Sequence, residues 1–455
     1  MKQLSVFVAL FIFAGNVLAQ DVLSLNDCIQ MALKNNSSLK QKKYADEAAD
    51  YDVTGSYSNI LPSVDLSFRK GETNIGRSIR TINDAVIGVD TTGQPIYGTT
   101  TITTPKQYAK DHSLTLSVNQ TLYDGGRWWN RIGQAKVDKK SSVFDLENEQ
   151  NATILEVQAN YYDLLKQIKL YEVDKIAVQR SEDQLKRTEK MYELGSKARL
   201  DVYQAKVNLG SDQINLLTQQ NIVEDARRAL NISMGRDPET PLEVEKISEV
   251  SPAVPQINTL VDQAMENQPT LKKNEADVES SEFGVSLAKA NYLPRLSAYF
   301  QYNRRNSDFD KIYAPDNLHF DYVWAVGLSL NWNLFNGMSD YVNVQKAKIS
   351  EMSYREAQAN YMRNLKSRIQ AYHDNYKSYI DIIAINQENL EAAKEELRLA
   401  EERYQIGAGT ALEVREAQVK LTRAEQTLIA AQYNSLITLA QLDNEIGVTA
   451  MKLKE

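Results

Sequence analysis

Two long segments of the chain place their apolar residues in alternating four- and three-residue steps. The longer runs through Leu365, Ile369, Tyr372, Tyr376, Tyr379, Ile383, Asn386, Leu390, Ala393, Leu397, Ala400 and Tyr404; the shorter through Ile154, Val157, Tyr161, Leu164, Ile168 and Tyr171. A mean step of about 3.5 residues keeps one seam of a helix turned toward a partner helix, so both segments predict coiled-coil packing. The seams are narrow and the other faces heavily polar, which suits helices lying side by side with water on two sides better than a globular core. From about Arg127 to Glu193 there is no proline and one glycine, Gly133; from Met338 to Ile406 there is neither. At ~1.5 Å per residue each stretch reaches ~100 Å, several times the width of a compact domain.

Elsewhere the period is two. Val64, Leu66 and Phe68 alternate with Asp65, Ser67 and Arg69, and Leu114, Leu116 and Val118 with Thr115, Ser117 and Asn119. Later in the chain Leu296, Ala298, Phe300 and Tyr302 share one face. Trp324, Val326, Leu328, Leu330, Trp332 and Leu334 alternate with Ala325, Gly327, Ser329, Asn331 and Asn333. Roughly 9–11 alternating residues is the length of a tilted strand crossing a membrane. A soluble sheet with one buried face gives the same alternation. All four tryptophans (Trp128, Trp129, Trp324, Trp332) lie in or beside these strands, where membrane-interface aromatics stand in a barrel. Four strands cannot close a barrel and open edges are not viable in lipid, so several chains would have to contribute.

The pattern is written twice. "ALKNNSSLKQK" from Ala32 returns as "AMENQPTLKKN" from Ala264, and "NILPSVDLSF" from Asn59 as "NYLPRLSAYF" from Asn291. "LYDGG" (Leu122 to Gly126) then matches "LFNGM" (Leu334 to Met338), "YELGSKARLDV" (Tyr192 to Val202) matches "YQIGAGTALEV" (Tyr404 to Val414), and Gly235 matches Gly447. The offset falls from 232 to 212 residues, so the first copy carries an insertion of 20 between Phe68 and Leu122. That stretch is polar and Thr-rich, as a long surface loop is. The organisation expected is a leader at 1–19, a first repeat at 20–235, a linker at 236–256, a second repeat at 257–447 and a tail at 448–455. The first repeat holds a helix, strands at about 62–70 and 112–123, a long helix at about 126–194 and a return helix at about 199–233. The second holds a helix, strands at about 295–303 and 322–335, a long helix at about 338–406 and a return helix at about 410–446. The linker has four of the ten prolines and reads as extended, partly strand.

Composition narrows the function. "MKQLSVFVALFIFAGNVLAQ" has a basic end, an apolar stretch and a small-residue cleavage site at Val17-Leu18-Ala19, the form of a secretory signal. Past it no run of ~18 apolar residues occurs, so a bilayer would have to be entered as a closed β-barrel. The net charge of −8, with no basic stripe, argues against nucleic acid. Cys28 is the only cysteine and reads as a small buried residue. His112, His319 and His373 have no metal-ligand spacing, and neither a phosphate-binding loop nor a nucleophile elbow is present. Neither catalysis nor a cofactor nor a metal is expected.

Together, the tandem repeat, the Leu61-Pro62 and Leu293-Pro294 junctions, the Gly125 and Gly337 junctions and the paired glycine turns resemble the TolC-like outer-membrane efflux family, over essentially the whole mature chain. The resemblance implies a mostly α protein with a small β part. Three chains, each giving four strands, make a homotrimeric 12-stranded transmembrane β-barrel continued by a long periplasmic α-helical barrel. It implies an exit duct in the outer membrane, carrying small molecules from a tripartite pump. Its partners are a periplasmic adaptor, an inner-membrane pump and outer-membrane lipid. The hairpin tips, with Gly195 and Ser196 in one and Gly407, Ala408, Gly409 and Thr410 in the other, become adaptor contacts. Glu413 and Glu416 match the acidic ring at the constriction, and Asp201 and Tyr404 match closed-state latch positions. The first tip departs from the family pattern with Ala198 where Ser or Thr stands, and Gly409 replaces the family's basic latch residue, so a latch here is weaker or built differently. A duct for protein secretion and a soluble periplasmic coiled-coil interaction protein remain open as alternatives.

Overall fold

The computed structural model describes residues 22–246, 254–314 and 319–452. The expected leader, residues 247–253 of the linker and the last three residues of the tail lie outside the described residues. In chain order the first half comprises β1 (Val22–Leu23), α1 (Leu25–Asn35), α2 (Ser37–Ser56), β2 (Ser63–Ile75), β3 (Ser78–Val89), β4 (Pro95–Thr104) and β5 (Gln107–Tyr123). It continues with α3 (Arg127–Glu193), α4 (Arg199–Ser233) and β6 (Glu243–Val244). The second half comprises α5 (Ile257–Asn267), α6 (Pro269–Lys289), β7 (Arg295–Asn306), α7 (Asp310–Tyr313), β8 (Tyr322–Asn331), α8 (Ser339–Gln405), α9 (Ala411–Glu445) and α10 (Thr449–Lys452). Helices α3 and α8 are each 67 residues long, and α4 and α9 are each 35.

The chain divides into two compact units. The first comprises residues 1–49, 139–278 and 354–455, and its described residues are mainly helical, with the β1–β6 pair as their strands. All twelve seam positions of α8 are buried or half-buried, while most positions between them are exposed. One cluster joins Cys28, Ile29 and Ala32 of α1 to Ile154, Val157, Tyr161 and Leu164 of α3 and Leu230 of α4. Burial pushes the Cys28 thiol up to about 11, leaving it an unreactive core residue. The Tyr161 hydroxyl donates to the carbonyl of Glu245 at 2.8 Å, tying the parallel β1–β6 pair to this cluster.

The single helix expected at the start of each repeat is two helices. The breaks fall at Asn36 and Gln268, and each serves a distant helix end. Asn36 accepts the Leu39 N–H at 3.1 Å, opening α2, and its amide donates to the Ser233 carbonyl at the end of α4. Gln268 likewise accepts from Thr270 and donates to the Glu445 carbonyl at 2.9 Å, at the end of α9. Carbonyls orphaned at two helix ends are thereby satisfied.

The second unit comprises residues 50–138 and 279–353. Its main sheet has the order β2–β5–β7–β8, antiparallel throughout. The register puts Leu66, Leu116, Tyr302 and Trp324 in one row and Phe68, Leu114 and Arg304 in the next, so one face is apolar over most of its length. Asp65, Ser117, Gln301 and Ala325 form a row on the opposite, mainly polar face. The expected surface loop is largely strand: β2 runs on to Ile75, β5 begins at Gln107, and β3 and β4 pair as a separate hairpin. Threonine and β-branched residues favour extended backbone as strongly as they mark a polar surface, which the loop reading undervalued. Strand β8 ends at Asn331, short of the expected 335, and the tail carries the one-turn helix α10.

Candidate functional site

The two reversals predicted from the repeat are built alike. Gly195 has φ +75° and Gly407 φ +80°, the left-handed backbone that glycine adopts without a Cβ clash. The Gly195 N–H donates to the Tyr192 carbonyl and the Ser196 N–H to Met191; Gly407 and Ala408 repeat this with Tyr404 and Arg403. Both helices therefore end in a Schellman motif. The returning helices are capped by opposite halves of one device. Thr410 Oγ1 accepts the Glu413 N–H at 3.2 Å, opening α9. Ala198 has no such oxygen, and the Asp201 carboxylate instead accepts the Ala198 N–H at 3.0 Å.

Tyr404 is 2 % exposed and packs with Leu397, Val414, Ala417 and Leu421. Met191 joins this cluster, and the Lys197 ammonium stands 4.4 Å over the Tyr404 ring, so the two tips of one chain meet here. The Tyr404 hydroxyl is buried without a hydrogen-bond partner among the described residues. Glu413 and Glu416 are exposed on the first turns of α9. Neither is bare of nearby cations. Arg403 places a guanidinium nitrogen 3.9 Å from the Glu413 carboxylate while donating to the Ala408 carbonyl at 3.1 Å. Lys420, held by Glu396 at 2.6 Å, also feels the charge of Glu416. Gly409 lies against this corner: a Cβ there would come within 3.1 Å of the Glu413 carboxylate.

Behind the tips, α9 is pinned to α3 and α4 by polar side chains that the sequence analysis missed. Arg415 donates to both Asp212 oxygens, at 2.7 and 2.9 Å, and to Ser181, whose hydroxyl in turn donates to Asp212. Arg180 pairs with Glu425 at 3.0 Å, and Gln426 donates to Asp174 at 2.9 Å. Burial, opposed by that hydrogen bond and reinforced by the Asp212 charge, raises the Asp174 carboxyl above the usual range. A cavity of about 380 Å³ lies among these groups. A signal was present: Ala205, Asp212 and Gln219 recur at seven-residue intervals and all three are buried. A carboxylate at a seam position demands a cation on the facing helix.

In the other unit the apolar sheet face is bare: Leu66, Val326, Leu328 and Leu330 are each more than 60 % exposed. Trp129, Trp324 and Trp332 are also exposed, while Trp128 is half-buried with its ring 5.4 Å from that of Trp129. The Trp332 indole donates to the Tyr292 carbonyl at 3.1 Å. Among the described residues no helix is long and apolar enough to cross a membrane, and no cluster of His, Cys, Asp and Glu is arranged to hold a metal ion.

A family model described as "Outer membrane efflux protein" matches residues 28–236 and 260–448, one span in each half of the chain. The outer membrane protein TolC of Vibrio cholerae is 22 % identical over 431 residues, covering 93 % of this chain and 90 % of that protein. The toluene efflux pump outer membrane protein TtgC of Pseudomonas putida is 22 % identical, over 74 % of this chain and 69 % of its own length. Among solved structures, the Campylobacter jejuni CmeC outer membrane channel superposes with a TM-score of 0.76 at 19 % identity, over 94 % of this chain and 88 % of that one.

Proposed function

The chain belongs to the outer membrane efflux protein family, and from that premise we propose that three copies form the outer-membrane exit duct of a tripartite efflux system for small molecules. The observation that carries the reading is the β2–β5–β7–β8 sheet, with its bare apolar face and two edges unpaired among the described residues. Unpaired strand edges are excluded from lipid. Pairing β8 of one copy with β2 of the next, three times, closes twelve strands and turns the apolar face to the membrane. Trp324 and Trp332 lie eight residues apart, ~26 Å along a strand. At a tilt of ~40° that is ~20 Å of height, close to the apolar band of such barrels.

The helical unit supports the trimer independently. Leu200, Tyr203, Val207, Ile214 and Leu217 of α4 keep seam spacing yet are 52–71 % exposed. A coiled-coil stripe left in water is what a neighbouring copy covers. In the assembled tube Glu413 and Glu416 from each chain form the acidic constriction, with Arg403 offsetting part of the charge. The exposed tips at Gly195, Ser196, Gly407, Ala408 and Thr410, with the partly exposed Gly409, are the docking points for a periplasmic adaptor, and energy comes from an inner-membrane pump. The unpartnered Tyr404 hydroxyl in the second hairpin and Asp201 in the first are the latch candidates that would meet a neighbouring copy.

Charges placed in the α4 stripe test the trimer. Val207→Asp/Ile214→Asp loses two buried apolar side chains per interface, roughly 1.5–3 kcal/mol each, and adds unpaired carboxylates. Wild-type protein extracted in detergent is expected to sediment as a trimer and the variant as a monomer. A monomeric wild type would sink the proposal.

A further inference from the structure

Three guanidinium groups converge where the strands give way to the long helices. Arg127 and Arg131 stand on the first turns of α3, Arg295 opens β7, and all three line a polar cavity of about 530 Å³. None of them forms an ion pair with a carboxylate among the described residues. Arg127 donates to the Asn291 side chain and Arg295 to the Thr121 hydroxyl at 3.2 Å, and Arg131 makes no hydrogen bond among the described residues. Two carboxylates share the lining, and both are committed to helix starts. Asp124 accepts the Trp128 N–H at 3.0 Å, capping α3, while Asp340 is buried in the first turn of α8. Neither carboxylate forms an ion pair with an arginine among the described residues, and three arginines outnumber the two acids in the lining.

We propose that this cavity binds organic oxyanions, molecules carrying two or more carboxylate, phosphate or sulfonate groups. Three guanidinium groups against two carboxylates leave the lining with an excess of positive charge, and a visiting anion balances it. The planar guanidinium fork matches the paired oxygens of these groups. The volume lies in the ~300–1,000 Å³ range of small-molecule sites. Thr121, Arg295 and its cross-strand partner Asn331 belong to the polar side of the sheet. That side lines the lumen in the trimeric duct, and this placement rests on the duct reading, although binding to the chain does not. Each copy then adds its arginines to the lining of that lumen.

Pyranine, a fluorescent aromatic trisulfonate, is a suitable probe. Its anisotropy would be followed as detergent-extracted trimer is added, for the wild type and for Arg131→Gln/Arg295→Gln. Saturable binding that weakens roughly tenfold or more per arginine removed is expected, with Arg131→Lys retaining more affinity than Arg131→Gln. If the double variant does not fold, Arg131→Gln alone gives the same readout, since that side chain holds nothing in place. No saturable binding, or equal binding by wild type and variants, overturns the site. Bilayer recordings of the same preparations separate the two claims: pores without pyranine binding leave the duct and remove the site. Binding without pores keeps the site and removes the duct.

Discussion

Replacing Arg415 with methionine is expected to lower the stability of the helical unit by about 3–5 kcal/mol, the usual cost of removing one partner of a buried ion pair. The side chains of Asp212 and Arg415 are 9 % and 23 % exposed, so bulk water screens the pair weakly. Without Arg415 the Asp212 carboxylate keeps, among the described residues, only the Ser181 hydroxyl. The double variant Asp212→Leu/Arg415→Met removes both charges and is expected to recover most of the loss, because the desolvation cost goes with them. Urea denaturation followed by helical circular dichroism, read as a double-mutant cycle, measures both effects. A single-variant loss below about 1 kcal/mol would mark the pair as a surface contact. A double variant as unstable as the single would show that packing, not charge, holds α9 in place.

The second large effect concerns two glycines far from the tips. Gly235 and Gly447 have φ +72° and +74° and end α4 and α9. A Cβ on Gly447 would lie 2.7 Å from the Asn267 carbonyl oxygen, and one on Gly235 2.8 Å from that of Asn35. Each substitution to alanine therefore carries about 1–2 kcal/mol of left-handed backbone cost and about 1–3 kcal/mol of overpacking against main chain that cannot move aside cheaply. Gly195 and Gly407 share the backbone conformation but meet nothing within 4 Å, so their alanine variants carry the first cost alone. Denaturation midpoints for the four variants should fall into two pairs. Four equal values would mean that the helix breaks at Asn36 and Gln268 do not hold the ends of α4 and α9.

The legible parts of this fold were those with a period. The α8 seam from Leu365 to Tyr404 and the alternation from Trp324 to Leu330 are local patterns, and burial and register follow them. The tips were legible because glycine at a helix end has a backbone reason. What was hidden depends on partners distant in sequence. Asn36 reads as an ordinary polar residue until it meets Ser233, 197 positions away, and Arg415 meets Asp212 across 203. The β3–β4 hairpin was hidden differently, since its threonines fit a polar loop and a strand equally well. At the start of α9, two glutamates at helical spacing read as bare acid. Only the folded Arg403–Thr410 turn brings the Arg403 guanidinium back beside Glu413.

The central claim, that this chain builds a conducting passage, is tested most directly by single-channel recording in a planar bilayer, beside the variant Glu413→Gln/Glu416→Gln. The account predicts discrete pores that prefer cations, by a margin reduced where Arg403 offsets Glu413, and a weaker preference in the variant. Inserted trimers that show no discrete conductance at any applied voltage would contradict it.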